Sequence, residues 1–158
     1  SKFKSRFLDP NGVFVDLGSG HGRICNHIAL THGRDMKAIK GVELCKKRHA
    51  LALEQSEKIE YPGTKPEFIN EDMLKTDLSD ATIAYFDNTA YKHEFLYDIF
   101  SLLPPDCVIV YKSGFIMTGD PTFCIETTYN NNLPEDIEPL GNYTIRKAAW
   151  RYGRGHDF

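Results

Sequence analysis

The residues best suited to chemistry lie in one early stretch, Val15-Asp16-Leu17-Gly18-Ser19-Gly20-His21-Gly22. Gly18, Gly20 and Gly22, with Ser19 between the first two, let the backbone turn sharply and approach a ligand without Cβ atoms in the way. A helix opening from such a loop offers free N–H groups and a positive dipole end. That end suits the carboxylate of a bound amino acid, and Asp16, just before the loop, can accept a hydrogen bond from its amino group. Two later acids extend the pattern. Glu43, in Gly41-Val42-Glu43-Leu44, can accept hydrogen bonds from both hydroxyls of a ribose. Asp72, in Asn70-Glu71-Asp72-Met73-Leu74, can accept from an adenine amino group while Met73 offers an apolar surface to the ring. Glu71 is a substitute for that role, and a helix cap is the structural alternative for Asp72.

These residues need elements to hold them at one edge of a sheet. Val13–Leu17 reads as a short apolar strand running into the glycine loop, and Ile24–Leu30 has helical spacing directly after it. Ala38–Leu44 reads as a second strand. Lys46–Ile59, rich in Ala, Leu, Glu and Lys, reads as a helix broken by Tyr61-Pro62-Gly63. Glu67–Asn70 and Thr82–Phe86 are the third and fourth strands. Tyr91–Leu103 is an amphipathic helix with Phe95, Ile99, Leu102 and Leu103 on one face, and Cys107–Tyr111 is the fifth strand. Phe123–Thr128 and Tyr143–Trp150 then read as two further strands. Strand–helix alternation followed by a hairpin predicts a doubly wound, mostly parallel seven-stranded α/β sheet with an antiparallel C-terminal hairpin.

The length of 158 residues favours a single domain over 1–158, and a hydrophobic share of 41% is enough to bury a core. A net charge of −3 argues against nucleic-acid binding by the whole surface, so any basic partner surface must be local. No apolar run is long enough to span a bilayer, and the N-terminus has no secretory-type apolar segment. Cys25, Cys45, Cys107 and Cys124 show no CxxC spacing, so no metal is expected and the cysteines read as reduced core residues of a soluble intracellular protein.

The spacing Gly18-x-Gly20-x-Gly22 resembles that of class I methyltransferases dependent on S-adenosylmethionine (SAM). The resemblance implies a Rossmann-like fold and SAM as cofactor, held by Asp16, Gly18, Ser19, Gly20, Gly22, Glu43, Asp72, Met73 and Asn88. Within that class the chain is similar to the disruptor-of-telomeric-silencing family, the non-SET lysine methyltransferases of histone H-three. Val15–Gly22, Gly41–Glu43, Asp72–Leu74 and Asp87–Tyr91 carry the likeness. The Asp87–Tyr91 stretch matches an Asn-Asn-Phe-Ala-Phe element, with Asp87 in place of its first Asn and Thr89 in place of its first Phe. Ala149-Trp150 falls where that family has a Ser-Trp pair lining its lysine channel. The resemblance therefore implies that Asn88, Tyr91 and Trp150 face the acceptor.

A lysine acceptor must be neutral to attack, and its ordinary pKa of about 10.4 makes deprotonation near neutral pH cost roughly 4 kcal/mol. An apolar aromatic channel lowers that cost, and Tyr91, Phe115 and Trp150 are candidates for it. Asn88-x-x-Tyr91 also partly resembles the Asn-Pro-Pro-Tyr signature of amino methyltransferases acting on planar nitrogens. Arg146, Lys147, Arg151 and Arg154 near the C-terminus, with Lys2, Lys4 and Arg6 at the start, form a candidate basic rim for DNA or an acidic protein surface. The expected partner is the nucleosome and the expected location the nucleus. RNA, another protein nitrogen or a small molecule is the alternative acceptor. A non-catalytic SAM-binding partner subunit is the alternative role.

Overall fold

The computed structural model describes residues 10–87, 91, 93–104, 107–112 and 143–147. The elements follow in chain order as β1 (Val13–Leu17), α1 (Arg23–His32), β2 (Ala38–Val42), α2 (Lys46–Glu57), β3 (Glu67–Ile69), β4 (Ile83–Phe86), α3 (His93–Leu102), β5 (Val108–Lys112) and β6 (Tyr143–Lys147). A short 3-10 turn over Gly33–Asp35 follows α1.

The described strands form one sheet in the order β3-β2-β1-β4-β5-β6. β1 lies between β2 and β4, with Val15 opposite Lys40 on one side and Ala84 on the other. The sheet is parallel from β3 to β5, and β6 runs antiparallel to β5. This is the expected doubly wound α/β architecture with an antiparallel strand beyond β5. The strand expected over Phe123–Thr128 lies outside the described residues.

β1 is buried along its whole length, as its unbroken apolar run requires of a central strand. Its side chains alternate between the two faces. Val13, Val15 and Leu17 join Ala84, Phe86, Ile109 and the α3 residues Ile99 and Leu103. Phe14 joins Ile39, Ile83, Val108 and the α1 residues Cys25 and Ala29. α2 packs on the α1 face through the small residues Ala52 and Ser56. The sheet order reverses between β1 and β4, because the chain winds outward to β3 and then returns to the other side of β1. Open α/β sheets bind ligands in the crevice beyond the strand carboxyl ends at such a reversal.

Several ends differ from the sequence expectation for local reasons. The second strand stops at Val42 rather than Leu44, because the chain turns there: the Glu43 carboxylate accepts the Cys45 N–H at 2.9 Å and α2 starts at Lys46. α2 stops at Glu57 rather than Ile59, where the N–H groups of Lys58 and Ile59 tighten onto the carbonyls of Gln55 and Ser56. α3 starts at His93, so Tyr91 precedes the helix. Cys25 and Cys107 are buried free thiols, as expected of core cysteines, whereas Cys45 is half-buried at the N-cap of α2.

Candidate active site

The β1–α1 loop is pinned against β2. The N–H groups of Gly18 and Ser19 both donate to the Val42 carbonyl, at 2.8 and 2.9 Å. Gly18, Gly20 and Gly22 have φ of 83°, 55° and 81°, a region that side chains disfavour. Their surroundings differ. A Cβ on Gly22 would lie 2.5 Å from the Phe68 ring, whereas a Cβ on Gly20 would meet nothing within 4 Å. Gly22 is thus glycine for packing, and Gly20 opens onto the crevice. Ser19 is buried, and its hydroxyl has no hydrogen-bond partner among the described residues.

Glu43 forms the opposite lip. Its Oε2 accepts the Gly20 N–H at 2.8 Å, and its Oε1 accepts the Cys45 N–H and two Arg48 guanidinium bonds at 3.1 and 2.9 Å. Burial opposes the charge, but the Cys45 N–H, the Arg48 guanidinium and the Gly20 N–H together hold the carboxyl below the usual range. Glu43 is therefore an ionised acceptor fixed in orientation.

Asp16 lies deeper, beneath the loop and on the α1 face of β1. It is only 2% exposed. Its closest side-chain donor is the Cys25 thiol, with Sγ 4.0 Å from Oδ2. Burial first, then the charges of Glu43 and Asp87, push its pKa up to about 7. Such a group binds a cation readily, because the cation removes the cost of a buried unpaired charge.

Asp72 caps the turn after β3. Its Oδ1 accepts the Leu74 N–H at 2.9 Å, and its carbonyl accepts the Lys75 N–H. One carboxylate oxygen thus serves the local turn, as in the helix-cap alternative. Met73 is buried, and its Cε would be 3.5 Å from a Cβ on Gly18. Tyr91 reaches the same glycine from the β4 side: its hydroxyl would be 3.6 Å from that Cβ. The Tyr91 ring stacks on Phe95 at 4.8 Å between centroids and tilts against Phe86 at 5.0 Å.

The structure thus gathers Asp16, the glycine loop, Glu43, Met73 and Tyr91 around one crevice, with Asp72 at its β3 side. Asn88, Phe115, Trp150, Arg151 and Arg154 lie outside the described residues, as do Cys124 and the N-terminal Lys2, Lys4 and Arg6. Arg146 and Lys147 lie in β6 opposite Ile109 and Val108. Two contributors were not singled out from sequence. Arg48 is the guanidinium that holds Glu43, and its position in the first turn of the helix after that acid was the available signal. Asn70 donates from Nδ2 to the carbonyls of Glu43 and Leu44, at 2.8 and 3.1 Å, tying β3 to the turn.

Among the described residues no helix is long and apolar enough to cross a membrane, and no group of His, Cys, Asp and Glu has metal-binding geometry. No protein-family profile matches the chain, and no curated protein matches its sequence. Solved structures do match. A cyclopropane synthase from Mycobacterium tuberculosis superposes with a TM-score of 0.55 at 18% identity, over 70% of this chain and 40% of that one. Magnesium protoporphyrin IX methyltransferase from Synechocystis, with bound SAM, gives 0.51 at 15% identity, over 65% of this chain and 49% of that one. An RNA methyltransferase from Salinibacter ruber, in complex with S-adenosylhomocysteine, gives 0.53 at 26% identity, over 69% of each chain. The chain spans less than half the length of the first two. It shares with these proteins the Rossmann-like methyltransferase fold.

Proposed function

We propose that this chain is a SAM-dependent methyltransferase whose acceptor is a lysine amine of a protein, with a nucleosomal histone H-three preferred. The observation that carries the cofactor reading is the bond between the Gly20 N–H and Glu43 Oε2 at 2.8 Å. It fixes an ionised carboxylate at the lip of a glycine crevice whose floor holds the buried Asp16. The crevice fits the cofactor: Gly20 opens onto space, and Asp16 needs a cation. Two neighbours of the same fold were solved with bound SAM or S-adenosylhomocysteine.

Asp16 would hold the cofactor's amino group, the loop and the start of α1 its carboxylate, Glu43 its ribose hydroxyls, and Asp72 with Met73 its adenine. The cofactor supplies an activated methyl group on a sulfonium. What remains for the chain is positioning of the acceptor and exclusion of water. Tyr91, beside Gly18, bounds the crevice towards β4. Asn88 and Trp150 are assigned to the acceptor by the histone methyltransferase resemblance, and a nuclear location goes with that substrate.

RNA is the second reading. The Salinibacter ruber protein, an RNA methyltransferase, is the neighbour that matches this chain over equal shares of both chains. Transfer of labelled methyl from SAM to nucleosomes, free histones, RNA and a lysate separates the readings. Label on a histone lysine supports the first and label on RNA the second. SAM binding with no label in any acceptor points to a non-catalytic partner subunit. Absence of SAM binding by calorimetry removes all three.

A further inference from the structure

β4 ends at Phe86, which pairs with Leu17 at the end of β1. The next residue on each strand leads into the crevice: Gly18 from β1 and Asp87 from β4. Glu43 and Asp72, on the β2 and β3 side of β1, suit the nucleoside half of the cofactor. The methionine half and the acceptor then fall towards β4, on the Asp87 side. Asp87 is exposed there. Tyr91 lies beside it, with part of its ring open to solvent and its hydroxyl over Gly18.

We propose that Asp87 is the carboxylate that receives the acceptor nitrogen, so that the site takes a primary amine rather than a hydroxyl. This rests on the methyltransferase reading above. As an amine nitrogen's lone pair forms the new N–C bond, the C–S bond gives its electron pair to sulfur, and the positive charge moves from sulfur to nitrogen. A carboxylate beside the nitrogen stabilises that growing charge at the moment it appears. The partly open Tyr91 ring adds an attraction of the same sign. A hydroxyl acceptor would have to form an alkoxide, which a neighbouring carboxylate disfavours. The crevice as a whole matches a cation: Asp16 on β1, Glu43 after β2 and Asp87 after β4 share it with Arg48 on α2, which is bound to Glu43. The charge of Asp87 is felt by both Asp16 and Tyr91. A polyanion such as RNA meets the opposite of what this end of the crevice offers.

The test uses Asp87→Asn, which keeps the shape and removes the charge. SAM affinity by calorimetry should stay close to wild type. Methylation of the acceptor found in the screen should fall about a hundredfold in kcat/KM. Product analysis should place the methyl on nitrogen. Independently of turnover, n-butylammonium, the lysine side-chain analogue, should bind wild-type protein saturated with S-adenosylhomocysteine. Asp87→Asn should weaken that binding by about tenfold or more. Equal binding of n-butylammonium by variant and wild type, no binding by wild type, or methyl found on oxygen overturns the proposal while leaving the cofactor reading in place. Failure of wild-type protein to bind SAM or S-adenosylhomocysteine overturns both.

Discussion

Glu43 Oε2 accepts the Gly20 N–H across the mouth of the crevice at 2.8 Å, joining the end of β2 to the loop after β1. One carboxylate thus links two elements that reach each other only in the folded sheet. Glu43→Ala should weaken SAM binding by about 1.5–3 kcal/mol, the range for hydrogen bonds to a charged group. Gly20→Arg should abolish binding, because its side chain would fill the open space beside that glycine. Arg48→Ala should cost less, about 0.2–1 kcal/mol, since the Arg48 side chain is 56% exposed and its ion pair is screened. Calorimetry on the three variants orders these effects, and unchanged affinity in the first two would remove the assigned site.

Asp16 should make cofactor affinity depend on pH. Without ligand its pKa is about 7, so below that pH the group is largely protonated. A bound ammonium favours the carboxylate, so binding expels the proton. Affinity should therefore rise by up to about tenfold per pH unit below 7 and level off above it. Glu43 and Asp87 also face Asp16, and Cys25 on α1 lies behind it. Asp16→Asn should flatten the profile. An Asp16→Asn profile that rises like the wild type would assign the titration elsewhere.

The same group predicts a stability trend of opposite sense. Its folded pKa lies above the ordinary value of 3.8, so between about pH 4 and 7 the native state keeps a proton that the unfolded chain releases. Stability of the ligand-free protein should fall as pH rises through that window and stay reduced above it. Asp16→Asn should lose this contribution and gain relative to wild type at pH 8. Urea melts at pH 5 and pH 8 check it, with a constant difference between the two proteins as the refuting result.

Gly22→Ala should destabilise the fold. A side chain at φ of 81° costs about 1–2 kcal/mol, and its Cβ would be 2.5 Å from the Phe68 ring. Phe68→Leu in the same chain should recover part of the loss. Thermal melts of the single and double variants measure it, and simple additivity of the two changes would mean that the ring contact is not the cause.

Cys45 should be the most reactive of Cys25, Cys45 and Cys107. The N–H groups of Arg48 and Lys47 at the start of α2 favour its thiolate and lower its pKa. Burial pushes the thiols of Cys25 and Cys107 up, the latter to about 12. In a Cys124→Ser background, iodoacetamide followed by peptide mapping should label Cys45 first at pH 7. First labelling of either buried cysteine would contradict the helix-start assignment.

What the sequence determined by itself was local. The run Val13–Leu17 is apolar enough to demand burial on both faces. The glycine spacing demands a turn that only glycine makes cheaply, and the acids at the ends of predicted strands mark where a ligand can be held. Each of these depends on residues within a few positions of one another, so periodicity and turn chemistry reveal them. The tertiary structure decided how these pieces meet. The contact of the Val13 N–H with Thr82 Oγ1 spans 69 positions, and it exists because the sheet order brings β4 beside β1. The same reversal places Tyr91 over Gly18 and Asp87 beside the loop. Burial beneath the loop turns Asp16 from an ordinary acid into one that titrates near 7. The Arg48 clamp on Glu43 was equally illegible, although only five positions separate the two, because the turn through Cys45 into α2 decides where both side chains point. Charge–charge distances and desolvation are properties of the packed arrangement, and no spacing along the chain encodes them.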